Sequence, residues 1–189
     1  MKYFTLLAAT LLAIGPSLQA ETWTGSSDVT FKGTSTLHDF EGNVRAVPLV
    51  VTVKTSEKGR LISATSAVEI TRMSTAEKDR DQNMWKMFNA AKHRLMKITV
   101  PETPESALRP VNGKPGAMPI TLTIAGTPGT VTGAVSNLKE TATTASFDLQ
   151  FPVSLKAFNL KPPSTLVGLI KVGDTVSVSV HVTLTRQKS

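Results

Sequence analysis

The sequence predicts an all-β fold, an eight-stranded antiparallel β-barrel with one helix covering or plugging it. Three observations carry this. Apolar and polar residues alternate with a period of two along much of the chain, which marks strands with one buried and one wet face. Turn-forming residues separate the alternating runs. A single segment leaves that period and spaces its apolar residues as a helix does. One-faced antiparallel strands build a sandwich or a closed barrel. Long strands favour the barrel, because closure leaves no unpaired edge.

The clearest strand lies near the C-terminus. Val176, Val178, Val180, Val182 and Leu184 point one way, and Ser177, Ser179, His181, Thr183 and Thr185 the other. Ile120, Leu122 and Ile124 alternate with threonines; Gly126-Thr127-Pro128-Gly129 then turns the chain into Val131, Gly133 and Val135, a hairpin. Alternation also marks Phe147–Val153, Ile62–Ile70 and Leu49–Val53. Trp23–Phe31, Leu37–Ala46 and Leu95–Val100 complete a set of eight strands or nine. Ser74-Thr75-Ala76-Glu77 has the form of a capping box, with Asp79 and Asp81 as caps for a later start. Met84, Met87, Phe88, Ala91 and Leu95 follow at helical spacing, which predicts one helix over about residues 77–92 with a Met/Phe face. Five prolines and two glycines from Pro101 to Pro119 predict a long irregular connection, and Lys161-Pro162-Pro163-Ser164 a further break.

The first 20 residues read as a cleavable signal peptide. Lys2 is the positive start, Phe4 to Ile14 the apolar run, Gly15-Pro16 its end, and Ser17-Leu18-Gln19-Ala20 the cleavage site before Glu21. The run is too short to span a bilayer, which takes roughly 20 apolar residues. Residues 21–189 then form one domain, exported, with the periplasm of a bacterium as the expected compartment. With no cysteine there is neither a disulfide framework nor a thiol for a lipoprotein anchor, so the fold must rest on its core. The net charge of +7 falls to +6 without Lys2. Lys and Arg are scattered rather than blocked, and that pattern with export argues against nucleic acid as a partner.

Several segments together resemble the YceI-like family. They are Phe31-Lys32-Gly33-Thr34-Ser35-Thr36-Leu37-His38-Asp39-Phe40-Glu41-Gly42, Arg80-Asp81-Gln82-Asn83-Met84, Leu122-Thr123-Ile124-Ala125-Gly126-Thr127, Phe158-Asn159-Leu160 and Ile170-Lys171-Val172-Gly173-Asp174-Thr175-Val176. The resemblance implies a lipocalin-like exported barrel that binds polyisoprenoid lipid. Where that family usually has Lys-Tyr-Pro before an Ile-x-Phe strand, this chain has Lys92-His93-Arg94-Leu95-Met96-Lys97-Ile98-Thr99-Val100, so the helix-to-strand corner is expected to differ.

Candidate ligand-binding residues are the large apolar side chains Phe31, Leu37, Phe40, Met84, Trp85, Phe88, Phe151 and Phe158, with His38 as a head-group contact. Core and cavity lining share one face of a barrel, so ordinary core packing is the competing reading for each. His38, His93 and His181 lack metal-ligand spacing, and His181 falls on a wet face. His38 and Asp39, as strand neighbours, would point to opposite faces and form no dyad. Ser136-Asn137-Leu138-Lys139 matches a Ser-x-x-Lys string without the helix start that chemistry needs. Glu77-Lys78-Asp79-Arg80-Asp81 reads as a solvated, self-paired helix start. No catalytic residue, metal or cofactor is expected. The expectation is a non-enzymatic carrier or sequestering protein for a polyisoprenoid or fatty-acid-like lipid. The alternative is an envelope stress or interaction protein with a filled barrel. Transient membrane contact and a homodimer stay open.

Overall fold

Alternation along the strands becomes, in three dimensions, one continuous wall. A computed structural model describes residues 19–57, 59–162, 164–165 and 170–188. The expected leader lies outside them except for Gln19 and Ala20, as does Pro163 of the expected break. The elements in chain order are β1 (Gln19–Ser35), β2 (Phe40–Arg45), β3 (Leu49–Ser56), β4 (Gly59–Glu69), α1 (Lys78–Met87), β5 (Leu95–Pro104), α2 (Glu105–Leu108), β6 (Gly116–Ile124), β7 (Thr127–Glu140), β8 (Thr144–Ser154), β9 (Ser164–Thr165) and β10 (Ile170–Arg186).

Eight antiparallel strands close the barrel in the order β1-β3-β4-β5-β6-β7-β8-β10, with β10 returning to β1. Val180 pairs with Val29 on one side and Leu149 on the other, so the inward valines of β10 meet apolar residues from both neighbours. β2 and β3 lie along one flank of β1: β3 pairs with Gln19–Gly25 and β2 with Asp28–Gly33. The flank is interrupted at Ala46–Pro48, where Ala46 donates its amide to the Ser27 carbonyl and Val47 to the Ala67 carbonyl. That interruption is why the sequence offers nine alternating runs for eight barrel positions. β9 is a two-residue pairing on β10.

The observed elements differ from the expected ones in four places. The β6–β7 turn is the dipeptide Ala125-Gly126, and Thr127–Gly129 already belong to β7. Both turn residues have positive φ (48° and 82°), the backbone a two-residue hairpin needs to match strand twist. The stretch from Pro101 to Pro119 is ordered. β5 continues to Pro104 across a bulge at Pro101, α2 adds one turn, and β6 begins at Gly116. Proline is tolerated there because β5 pairs with β6 only over Lys97–Thr99. α1 stops at Met87, since Asn89 enters the left-handed region (φ 50°) and leaves Ala91 and Leu95 exposed. The strand expected from Leu37 begins at Phe40, so His38 and Asp39 sit in the irregular connection after a bend at Thr36–Leu37 rather than on opposite faces of a strand.

Ala125 pays a steric penalty for its left-handed backbone that asparagine tolerates better. Ala125→Asn is expected to raise stability by about 0.5–1 kcal/mol in urea denaturation, with no change in m-value.

Candidate functional site

Two hairpin strands build the wall of the site first. Phe31 of β1 pairs with Gly42 of β2, and Gly33 of β1 with Phe40 of β2. Each ring fills the space over the glycine opposite. A Cβ at Gly42 would stand 2.2 Å from Phe31 Cζ, and one at Gly33 2.4 Å from Phe40 Cζ. Large aromatic groups thus lie against the wall, where a residue with any side chain would expel them.

Across this end of the barrel runs α1. Its start is not the capping box that Ser74–Glu77 implied: Glu77, the N-cap residue, makes no side-chain cap hydrogen bond. The helix is held instead by Asp81, a buried carboxylate. Asp81 Oδ1 accepts from the Thr75 amide (2.7 Å) and the Thr75 hydroxyl (2.6 Å), and Oδ2 from the Ser74 hydroxyl (2.9 Å). Ser74 in turn exchanges backbone hydrogen bonds with Asn43 of β2 (2.8 and 3.0 Å), which ties helix and wall together. The charged run is therefore not uniformly solvated. Arg80 donates from Nε to the Thr75 hydroxyl (2.8 Å) and from Nη2 to the Thr75 carbonyl (3.1 Å). Its guanidinium stands 5.8 Å from the centre of the Phe40 ring, a cation–π contact.

Behind this hairpin and helix the barrel holds a cavity of about 400 Å³. Phe31, Leu37, His38, Phe40, Met84, Phe88 and Phe151 line it, together with aliphatic residues of β5, β6, β8 and β10. The helix side chains reach in without filling the bore. Among the described residues, the polar ones that line it are Ser35, His38, Thr75, Asp79, Arg80 and Asn83. A second cavity of about 160 Å³ lies toward the opposite end, beside α2.

Trp85 and Phe158 are not among the cavity residues. Trp85 sits around the helix from Met84, and its indole Nε1 donates to the Met73 carbonyl (3.1 Å). Phe158, in a 3-10 turn at Lys156–Phe158, seats its ring over Gly129, where a Cβ would approach it to 2.7 Å. Aromatic size marked both, but orientation sends them elsewhere. No apolar pattern marks Arg80, Asp81 and Asn83 as site residues, although they stand in one of the segments that carry the family resemblance.

The histidines are dispersed. The Ser35 hydroxyl donates to the His38 carbonyl (2.7 Å) and anchors the bend at the cavity rim. His93 lies beside the Gly126 turn. His181 stands outside the barrel, its Nδ1 2.7 Å from Asp148 Oδ1. Among the described residues, no group of three or more His, Asp or Glu is arranged to hold a metal ion. Ser136 and Lys139 flank a bulge within β7, with no helix start beside them.

Burial pushes the Asp81 carboxyl up, but the hydrogen bonds from the Thr75 hydroxyl, Thr75 amide and Ser74 hydroxyl, with the charge of Arg80, outweigh it and hold the group below its ordinary value. A depressed carboxylate stabilises the fold above its unfolded-state pKa, and that contribution is lost as pH falls through the folded-state value. Asp81→Asn is expected to cost about 1–3 kcal/mol at neutral pH. The deficit should shrink below about pH 4, where wild type loses its own advantage; denaturation midpoints across pH measure both. Gly42→Ala should displace Phe31 and cost about 1–3 kcal/mol, read from the same denaturation curves at neutral pH.

The model of the YceI-like domain family matches residues 22–184. A search of curated proteins gives no match. Among solved structures the chain is similar to Burkholderia cenocepacia BcnA, with a TM-score of 0.63 and 19% identity over 83% of this chain and 95% of that one. It is also similar to a polyisoprenoid binding domain from Saccharophagus degradans implicated in plant cell wall breakdown (TM-score 0.58, 15% identity, 87% and 98% covered). A Campylobacter jejuni YCEI protein matches at a TM-score of 0.51 and 16% identity, with both chains fully covered (100%). These likenesses share the closed barrel, and the family match spans nearly all of it: the chain belongs to the YceI-like family.

Proposed function

We propose that this protein is an exported, periplasmic carrier or sequestering protein that binds a long-chain isoprenoid or another amphiphilic lipid without covalent chemistry. One observation carries the reading: a cavity of about 400 Å³ whose lining, among the described residues, is apolar along its length and polar at the α1 end. That volume falls in the range of roughly 300–1,000 Å³ typical of small-molecule sites. Burying an apolar chain there contributes roughly 25 cal/mol per Å² of area removed from water. The polar groups at one end suit a head group, with Arg80, Asn83 and His38 as its contacts. The polyisoprenoid binding domain among the similar structures supports a lipid of this class. Leu37, exposed at 66% yet part of the cavity rim, offers a greasy step for exchange with a membrane.

Purified protein, from the native host and from a heterologous one, should release a long-chain lipid on extraction with organic solvent, identified by mass spectrometry. Absence of any lipid from both preparations would overturn the reading. Export is checked separately. The periplasmic fraction should contain a protein whose intact mass and N-terminal sequence begin at Glu21.

A further inference from the structure

The two interior cavities abut. Val29 of β1, Ile98 of β5, Phe151 of β8 and Val180 of β10 line both of them. β5 and β10 stand on opposite sides of the eight-strand ring, so Ile98 and Val180 face each other across the bore. These four residues stand where a larger outer chamber of about 400 Å³ meets a smaller deep one of about 160 Å³.

The deep chamber ends in a floor of a different character. Arg60 of β4 stands 3.1 Å from Glu105 of α2 and 3.6 Å from Glu140 of β7. Arg109, just beyond α2, stands 2.6 Å from Glu105 and 2.7 Å from Glu140. Each arginine therefore bridges both glutamates, and the ring is charge-neutral. All four line the deep chamber alongside Leu108, which is buried. The floor is fixed in place: a Cβ at Gly116 would come within 2.0 Å of the Leu108 carbonyl oxygen, so α2 is pressed directly onto β6.

An apolar chain gains by moving from water into the chambers and gains nothing by prising apart four paired charges. We infer that the deep chamber sets the length of apolar chain the barrel accepts, with Leu108 and the Arg60–Glu105–Arg109–Glu140 ring as its stop. This rests on the carrier reading above. The ligand class it defines is a single-chain amphiphile whose tail passes from the outer chamber into the deep one and ends in methyl or methylene groups, with no polar group at the far end.

The test uses straight-chain saturated fatty acids of increasing length as probes, measured by displacement of a fluorescent fatty acid from the purified, delipidated protein. Affinity is expected to climb by about fourfold per methylene until the tail meets the floor, and then to level off. Ala64→Leu, which fills the deep chamber from β4, should move that plateau to shorter chains. Where this variant fails to fold, Ala145→Leu fills the same chamber from β8 on the opposite side of the ring. Leu108→Ala should move the plateau to longer chains. A plateau at the same chain length in wild type and in both the filling and the enlarging variants overturns the inference while leaving the carrier reading intact. Failure of wild type to bind any chain overturns the inference as well, and the carrier reading falls with it only where solvent extraction also releases no lipid.

Discussion

The pairing of β1 with β10 is the constraint on which the molecule depends. It runs from Trp23 opposite Arg186 to Gly33 opposite Val176 and joins the two ends of the domain. An open sheet with the same sequence would present two unpaired edges and a broad apolar face, a template for aggregation. Closure turns that face into an interior. It also decides what the interior contains, because Val29, Phe31, Val176, Val178 and Val180 on these two strands all line the outer cavity. The seam that makes the fold possible is thus part of the site wall.

The two ends of the bore are finished by different physics. At the wide end, one buried carboxylate gathers the loop before α1 into a fixed arrangement, and Arg80 shares Thr75 with it. The polar rim is the by-product, since residues that secure the helix also face the opening. At the narrow end, α2 is a single turn, too short to hold itself. It is secured by two ion-paired arginines and by contact with the glycine at the start of β6. A polar rim over an apolar bore and a neutral charged floor beneath it give the interior a direction, which a symmetric barrel would lack.

The strands were legible because their period is enforced by the solvent on one side and the interior on the other. Val176 to Leu184 shows this without ambiguity. The helix was legible as a change of period, but its end was not, since Asn89 adopts a left-handed backbone that no apolar pattern announces. Proline misled between Pro101 and Pro119, because its meaning depends on whether a neighbouring strand needs the missing amide, and pairing partners are not written locally. Of the candidate site residues, those on inward strand positions were found by alternation. Trp85 and Phe158 stand out by size, and size does not carry direction. The clamp at Asp81 was hidden for another reason. It joins residues six and seven positions apart through a loop in which Ala76 has a φ of 61°.

The reciprocal phenylalanine–glycine pairs between β1 and β2 bear on how a small barrel stays hollow. Bulky residues are usually counted as volume subtracted from an interior. Here the glycine across the ladder surrenders a niche in which the ring can be stowed, so Phe31 and Phe40 add greasy surface while taking little from the bore. Capacity in such a vessel is a matter of where bulk is parked rather than how much of it the chain contains. A wall of this kind can be generous in contact area and roomy in the same few residues.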